Sequence, residues 1–127
     1  MNLEKVVFGF FIVLAMTLNF GFFIGDLTDV NQHNVYEMYA AIVVNLIATV
    51  LKFGDRTQVG ALHLATSLVA DLQLIAGAVL WGYAEHASSG GVTPSTVASV
   101  VSLSGGAFLA NAVSTSLLII ETAQLRR

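Results

Sequence analysis

Residues 51–58 read LKFGDRTQ, a short charged break between two long apolar stretches. Cytoplasmic loops collect Lys and Arg, because carrying those charges across a bilayer is disfavoured. Lys52 and Arg56 therefore place this turn inside. Reading outward, apolar stretches run from about Val35 to Phe53 and from about Thr57 to Ala84. Beyond them lie two more, about Val6–Ile24 with Lys5 before it and about Pro94–Thr122 with Arg126 and Arg127 after it. These are the 5 Lys and Arg residues of the chain, and the other two connectors contain none. The pattern predicts an all-α integral membrane four-helix bundle, up-down-up-down, with both termini cytoplasmic.

Composition agrees. Hydrophobic residues make up 56% of the 127 residues and charged residues 10%, against about 25% charged in soluble domains. One transmembrane domain, 1–127, fits. The net charge of −3 comes without a basic run, which argues against a nucleic-acid partner. The chain has no cysteine, so disulfides and thiolate chemistry are excluded. The apolar run Val6–Ile24 is longer than the roughly 7–15 residues of a signal-peptide core, so it reads as a retained helix. No phosphate-binding, dinucleotide-binding, hydrolase or H-E-x-x-H motif is present. No cofactor, no metal site and no enzymatic activity are expected.

Local signals set the ends. Asn34 with Glu37 resembles a capping box for the second span. Gly54 suits a left-handed helix end, Asp55 with Gln58 reads as the next cap, and Thr93-Pro94 opens the fourth span. Trp81 and Tyr83 are expected at the outer interface. Gly21 and Gly25 form a G-x-x-x-G pair, and Ser102, Gly106, Ala110 and Ser114 recur every four residues; both patterns predict close helix packing.

Each span carries one strongly polar residue: Asn19, Asn45, Asp71 and Asn111. Asn19 is expected in the outer half, Asn111 in the inner half, and Asn45 and Asp71 near the midplane. Asp71 is the one ionisable member, and a charged Asp there costs about 2.5–3.5 kcal/mol on insertion scales. No Lys or Arg lies in a span core, so Asp71 is expected to be a neutral donor or an anion facing water or a cation. Gly60 and Ser67 share its helical face. Gln73 points nearly opposite and needs another partner, such as a neighbouring subunit. His63 reads as a polar interface residue with a proton-relay alternative. Asp26, Asp29, Glu37 and Glu85 make the outer face acidic, which is either the mouth of a cation path or what positive-inside topology leaves by default.

The strings MNLEKVVFGFF, NLIATVLKFGDRTQ and SLVADLQLIAG resemble a family of small bacterial four-span inner-membrane proteins of unassigned function. That resemblance implies a bacterial inner-membrane location. The chain departs from three better-known four-span groups. Small multidrug exporters carry a Glu in their first span, dual-topology fluoride channels have a weak charge bias, and voltage sensors need a row of Arg in the last span.

Two functions follow. The first is a homo-oligomeric channel or proton-coupled permease for a small cation. Its path would run along a symmetric interface, with Asp71 forming an acidic ring and Asn45, Ser67 and Asn111 supplying neutral oxygens. The second is a non-conducting accessory or regulatory subunit of a larger membrane complex.

Overall fold

In the computed structural model, which describes residues 3–125, the charged break at Lys52–Thr57 joins two antiparallel helices. The helices are α1 (Leu3–Phe23), α2 (Val35–Lys52), α3 (Gln58–His86) and α4 (Pro94–Leu125), with a 3₁₀ turn at Val30–Gln32 before α2. Each α-helix is long and apolar enough to cross a membrane. The shortest, α2, has 18 residues, about 27 Å at 1.5 Å per residue, against a hydrocarbon core of about 30 Å. Arg126 and Arg127 lie outside the described residues.

The helices form a square, with α1 and α3 each packed on both α2 and α4. Cross-helix pairs give the register. Phe23 lies against Gly105, Phe20 against Phe108, Met16 against Thr115, and Lys5 pairs with Glu121, so α1 and α4 run antiparallel. Gly77 against Val100, Gln73 against Gly106 and His63 against Ser114 do the same for α3 and α4. Lys5, Lys52 and Arg56 thus gather at one end, the basic end, and Asp26, Asp29, Glu37 and Glu85 at the other. The outer surface carries large apolar side chains, among them Val43, Val50, Leu72, Val79, Leu109 and Ile119.

Two apolar clusters fill the interior. Phe22, Met38, Leu74 and Trp81 pack toward the acidic end, with Val97, Val100 and Val101 of α4. Phe8, Ile12 and Ala48 pack toward the basic end. Trp81 is therefore a core residue on the Phe22 ring, not an interfacial anchor; Tyr83 is exposed as expected.

Helix ends follow the sequence signals in part. Asn34 caps α2 by accepting from the Tyr36 N–H at 3.0 Å. The Glu37 carboxylate does not close the capping box; it lies against α1 at Gly21, where a Cβ would clash with it. Thr93 caps α4 through the Thr96 N–H at 3.2 Å. The cap of α3 is Thr57, not Asp55: Thr57 Oγ1 accepts from the Gly60 N–H at 2.9 Å. Asp55 sits one step back and accepts from the Thr57 N–H and hydroxyl, an Asx-turn that orients the true cap. Gly54 does not adopt the left-handed conformation; among the described residues the positive-φ glycines are Gly25 and Gly91.

Candidate functional site: a polar layer inside the bundle

α3 buries a stripe that includes Gly60, His63, Ser67, Asp71 and Leu74. Asp71 is near the middle of this 29-residue helix, about 20 Å from either end, and is 5% exposed. It faces the bundle interior. An acidic ring contributed by several copies around a shared axis is therefore not available to it, because its own α2 already covers the carboxyl.

That cover is specific. Asn45 Nδ2 donates to Asp71 Oδ1 at 2.6 Å and to the Ser67 carbonyl at 3.1 Å. The Thr49 hydroxyl lies 2.6 Å from Asp71 Oδ2 and 2.9 Å from the Asn45 carbonyl. A hydroxyl has one proton to donate, yet both of these neighbours are acceptors when Asp71 is ionised. With Asp71 neutral, its own O–H donates to Thr49, which donates to the Asn45 carbonyl, and all three groups are satisfied. With Asp71 ionised, the hydroxyl turns to the carboxylate. The site holds either protonation state after rotation about one bond. Thr49 was not singled out from sequence, although it lies four residues after Asn45 on one helical face, a spacing that makes neighbours.

The other polar residues converge on this level. On α1, the Asn19 carbonyl accepts from the Ser104 hydroxyl at 3.3 Å and the next residue, Phe20, lies opposite Phe108, so Asn19 stands nearer the acidic end than Asn111. On α4, Asn111 lies between Gly106, against Gln73, and Ser114, against His63, so it stands at the depth of Ser67. Asn45, Ser67, Asp71 and Asn111 thus occupy about one helical turn of the bundle, roughly 5 Å, and Asn19 borders them on the acidic side. Asn19 lies near the acidic end of α1, and Asn111 lies just past the middle of α4 toward the basic end, as expected.

Many atoms in this layer have no partner in the protein. Both side-chain ends of Asn19 and of Asn111 are buried without one, as are Asn45 Oδ1, Ser67 Oγ, His63 Nε2 and Gln73 Oε1. A buried polar group left unpaired costs about 1–3 kcal/mol, and native proteins hold only a few such groups per 100 residues. Most of them gather in one polar layer around the Asp71 carboxyl. His63 extends it toward the basic end, with Nδ1 at 2.6 Å from Ser114 Oγ and its ring edge-on to Phe8 at 4.8 Å.

The predicted packing residues divide. Gly25 is not in a helix; at φ +120° it bends the chain so that the Asp26 N–H reaches Gln32 Oε1 at 2.6 Å. Gly21 makes room for the Glu37 carboxylate, not for a second backbone. The small-residue ladder of α4 begins on the outside. Ser102 is exposed and Ser114 is buried, because each four-residue step overshoots a full turn by about 40°. Gly106 receives the Gln73 side chain, whose Oε1 has no hydrogen-bond partner among the described residues, and Ala110 packs against the apolar core.

The acidic residues are spent on loop structure. Asp26 accepts from the Thr28 N–H and hydroxyl, and these bonds hold its carboxyl below the ordinary carboxylate value. Asp29 caps the 3₁₀ turn, and Glu85 lies 3.8 Å from His86. No cluster of three or more metal-binding side chains occurs among the described residues. His33, which sequence reading set beside His86 only as a weak metal candidate, is 4% exposed. Its ring nitrogens lie 2.5 Å from the Phe22 carbonyl and 2.6 Å from the Asp26 carbonyl, clasping the α1–α2 loop onto the end of α1.

No curated protein and no solved structure matches the chain. Residues 32–122, which hold all of this layer except Asn19, match a family pattern. The chain belongs to a family of unknown function, DUF6394.

Proposed function

We propose that this protein is a multi-pass membrane permease that binds a proton or a small cation at Asp71 and passes it through the bundle interior. The observation that carries the reading is the enclosed carboxyl itself, with one donor on each oxygen and unpartnered oxygens of Asn45, Ser67 and Asn111 at its level. Carboxylate and neutral oxygens are the ligands that hard cations prefer. An intramembrane acid held without Lys or Arg is expensive, and such acids mark ion paths and proton relays.

The layer lies between the Phe8–Ile12–Ala48 cluster on one side and the Phe22–Met38–Leu74–Trp81 cluster on the other. An enclosed site favours carrier-like exchange over an open pore, since passage requires one cluster to part at a time. By the positive-inside rule the basic end, where α1 begins and α4 ends, faces the cytoplasm; the sequence resemblance noted above implies a bacterial inner membrane.

Purified protein in liposomes tests this. Wild type is expected to dissipate an imposed proton, sodium or potassium gradient, and Asp71→Asn to abolish that flux. Absence of flux under every gradient overturns the reading. If the protein then co-purifies with a larger membrane complex, the accessory-subunit role takes its place.

A further inference from the structure

At the basic end, α1, the end of α2 and the α2–α3 turn enclose a cleft of about 800 Å³. We propose that this cleft binds the headgroup of one membrane phospholipid through its phosphodiester.

The charges differ in how far they are committed. Lys5 is paired with Glu121. Lys52, 8% exposed, lies 4.4 Å over the Phe8 ring and has Asp55 at a loose 3.5 Å. Arg56 is exposed and has no carboxylate within ion-pair distance among the described residues. Its planar fork suits a phosphate. Thr57, which also lines the cleft, opens the 29-residue α3, so the positive end of a long helix dipole adds to the same field.

The walls supply the second half of the argument. Leu3, Val7 and Leu51 line the cleft, and Leu3 and Leu51 are large exposed apolar residues at the boundary of the apolar belt. A soluble anion has no use for such walls, whereas a glycerol backbone and the first acyl carbons do. The volume is in the range of ligand pockets, about 300–1,000 Å³, enough for a headgroup with its glycerol. Asp55 and Glu121 also line the space, paired with Lys52 and Lys5, which leaves the Arg56 guanidinium for one negative charge and disfavours a polyphosphate. Basic pockets between helices at a membrane boundary are a recurrent form of headgroup recognition.

Native mass spectrometry of delipidated protein tests the assignment with three probes: dioleoylphosphatidylglycerol, dioleoylglycerol (the same chains without phosphate) and inorganic phosphate. The expected result is a 1:1 phosphatidylglycerol adduct with affinity about tenfold above that of dioleoylglycerol. Arg56→Gln should remove most of that difference and leave dioleoylglycerol binding unchanged. Arg56→Lys, which keeps the charge but not the fork, should fall between. Arg56 is exposed in a turn, so the variants should keep the helical circular dichroism and elution of wild type. Equal binding of the two lipids, or an Arg56→Gln protein that binds phosphatidylglycerol as wild type does, overturns the proposal. Displacement of the lipid by millimolar phosphate also overturns it, in favour of a site for a soluble phosphate.

Discussion

Replacing Thr49 with Val tests the hydrogen-bond geometry around Asp71 with almost no change in shape. The hydroxyl lies 2.6 Å from Asp71 Oδ2 and 2.9 Å from the Asn45 carbonyl. Val retains the branched form and removes both contacts. The Asn45 carbonyl keeps its helical bond, so the loss falls on Asp71 Oδ2, left buried without a partner. Such a group costs about 1–3 kcal/mol, roughly a 5- to 150-fold change in the folding equilibrium. In an Asp71→Leu background the same substitution should cost less than about 0.5 kcal/mol, because removing both partners of a bond is close to neutral. The difference between the two costs is the coupling energy of a double-mutant cycle. Asp71→Asn should change stability by less than about 1 kcal/mol: its oxygen accepts from Asn45 and its amide donates to Thr49, as the neutral acid does. Reversible unfolding in mixed micelles, followed by circular dichroism, measures all of these. Equal costs of Thr49→Val in the two backgrounds would refute the contact.

Three further outcomes follow from other contacts. His33→Ala frees the Phe22 and Asp26 carbonyls that the ring now clasps, and amide exchange should accelerate across residues 24–33 while the middle of α3 stays protected. Gly106→Ala puts a Cβ 2.5 Å from Gln73 Nε2; it should destabilise by about 1–3 kcal/mol as overpacking does, and Gln73→Ala should relieve most of that loss in the double variant. Asp26 is held below its ordinary value by Thr28. Its loop contacts are therefore complete above that value and are lost as pH falls through the depressed one. The Thr28 amide resonance should follow this acid transition, and Asp26→Asn should abolish it.

The helices were legible because hydrophobic runs and the placement of 5 basic residues act over whole spans. Asp71 and Asn45 were legible because both sit far from any charged break, so depth alone marked them. The partners were less so. Which helix covers a carboxyl depends on register between helices, and register here is set by contacts such as Phe20 on Phe108 and His63 on Ser114, which no local pattern announces. Asp71 was expected on an oligomer axis because four helices are too few to enclose an aqueous path comfortably. The square packing of α1 to α4 instead buries the carboxyl within one chain, where Gly77, Ala70 and Ala107 let the helices come close. Helix caps went astray where two candidates lay two residues apart: Asp55 and Thr57 both carry capping oxygens, and Asp55 is used to orient Thr57. The Ser102–Ser114 ladder was read as one packing face although its drift carries it from the bundle surface into the core.

The central claim is that the Asp71 carboxyl exchanges a proton or cation inside the bundle. The most direct measurement is an infrared difference spectrum of the protein in lipid, recorded between acidic and basic pH and with and without sodium or potassium, using Asp71→Asn as the reference. The account predicts a carboxyl band that converts to carboxylate as pH rises or a cation binds, and that Asp71→Asn lacks. A difference spectrum in which the two proteins coincide under every condition would contradict it and leave Asp71 as a packing residue.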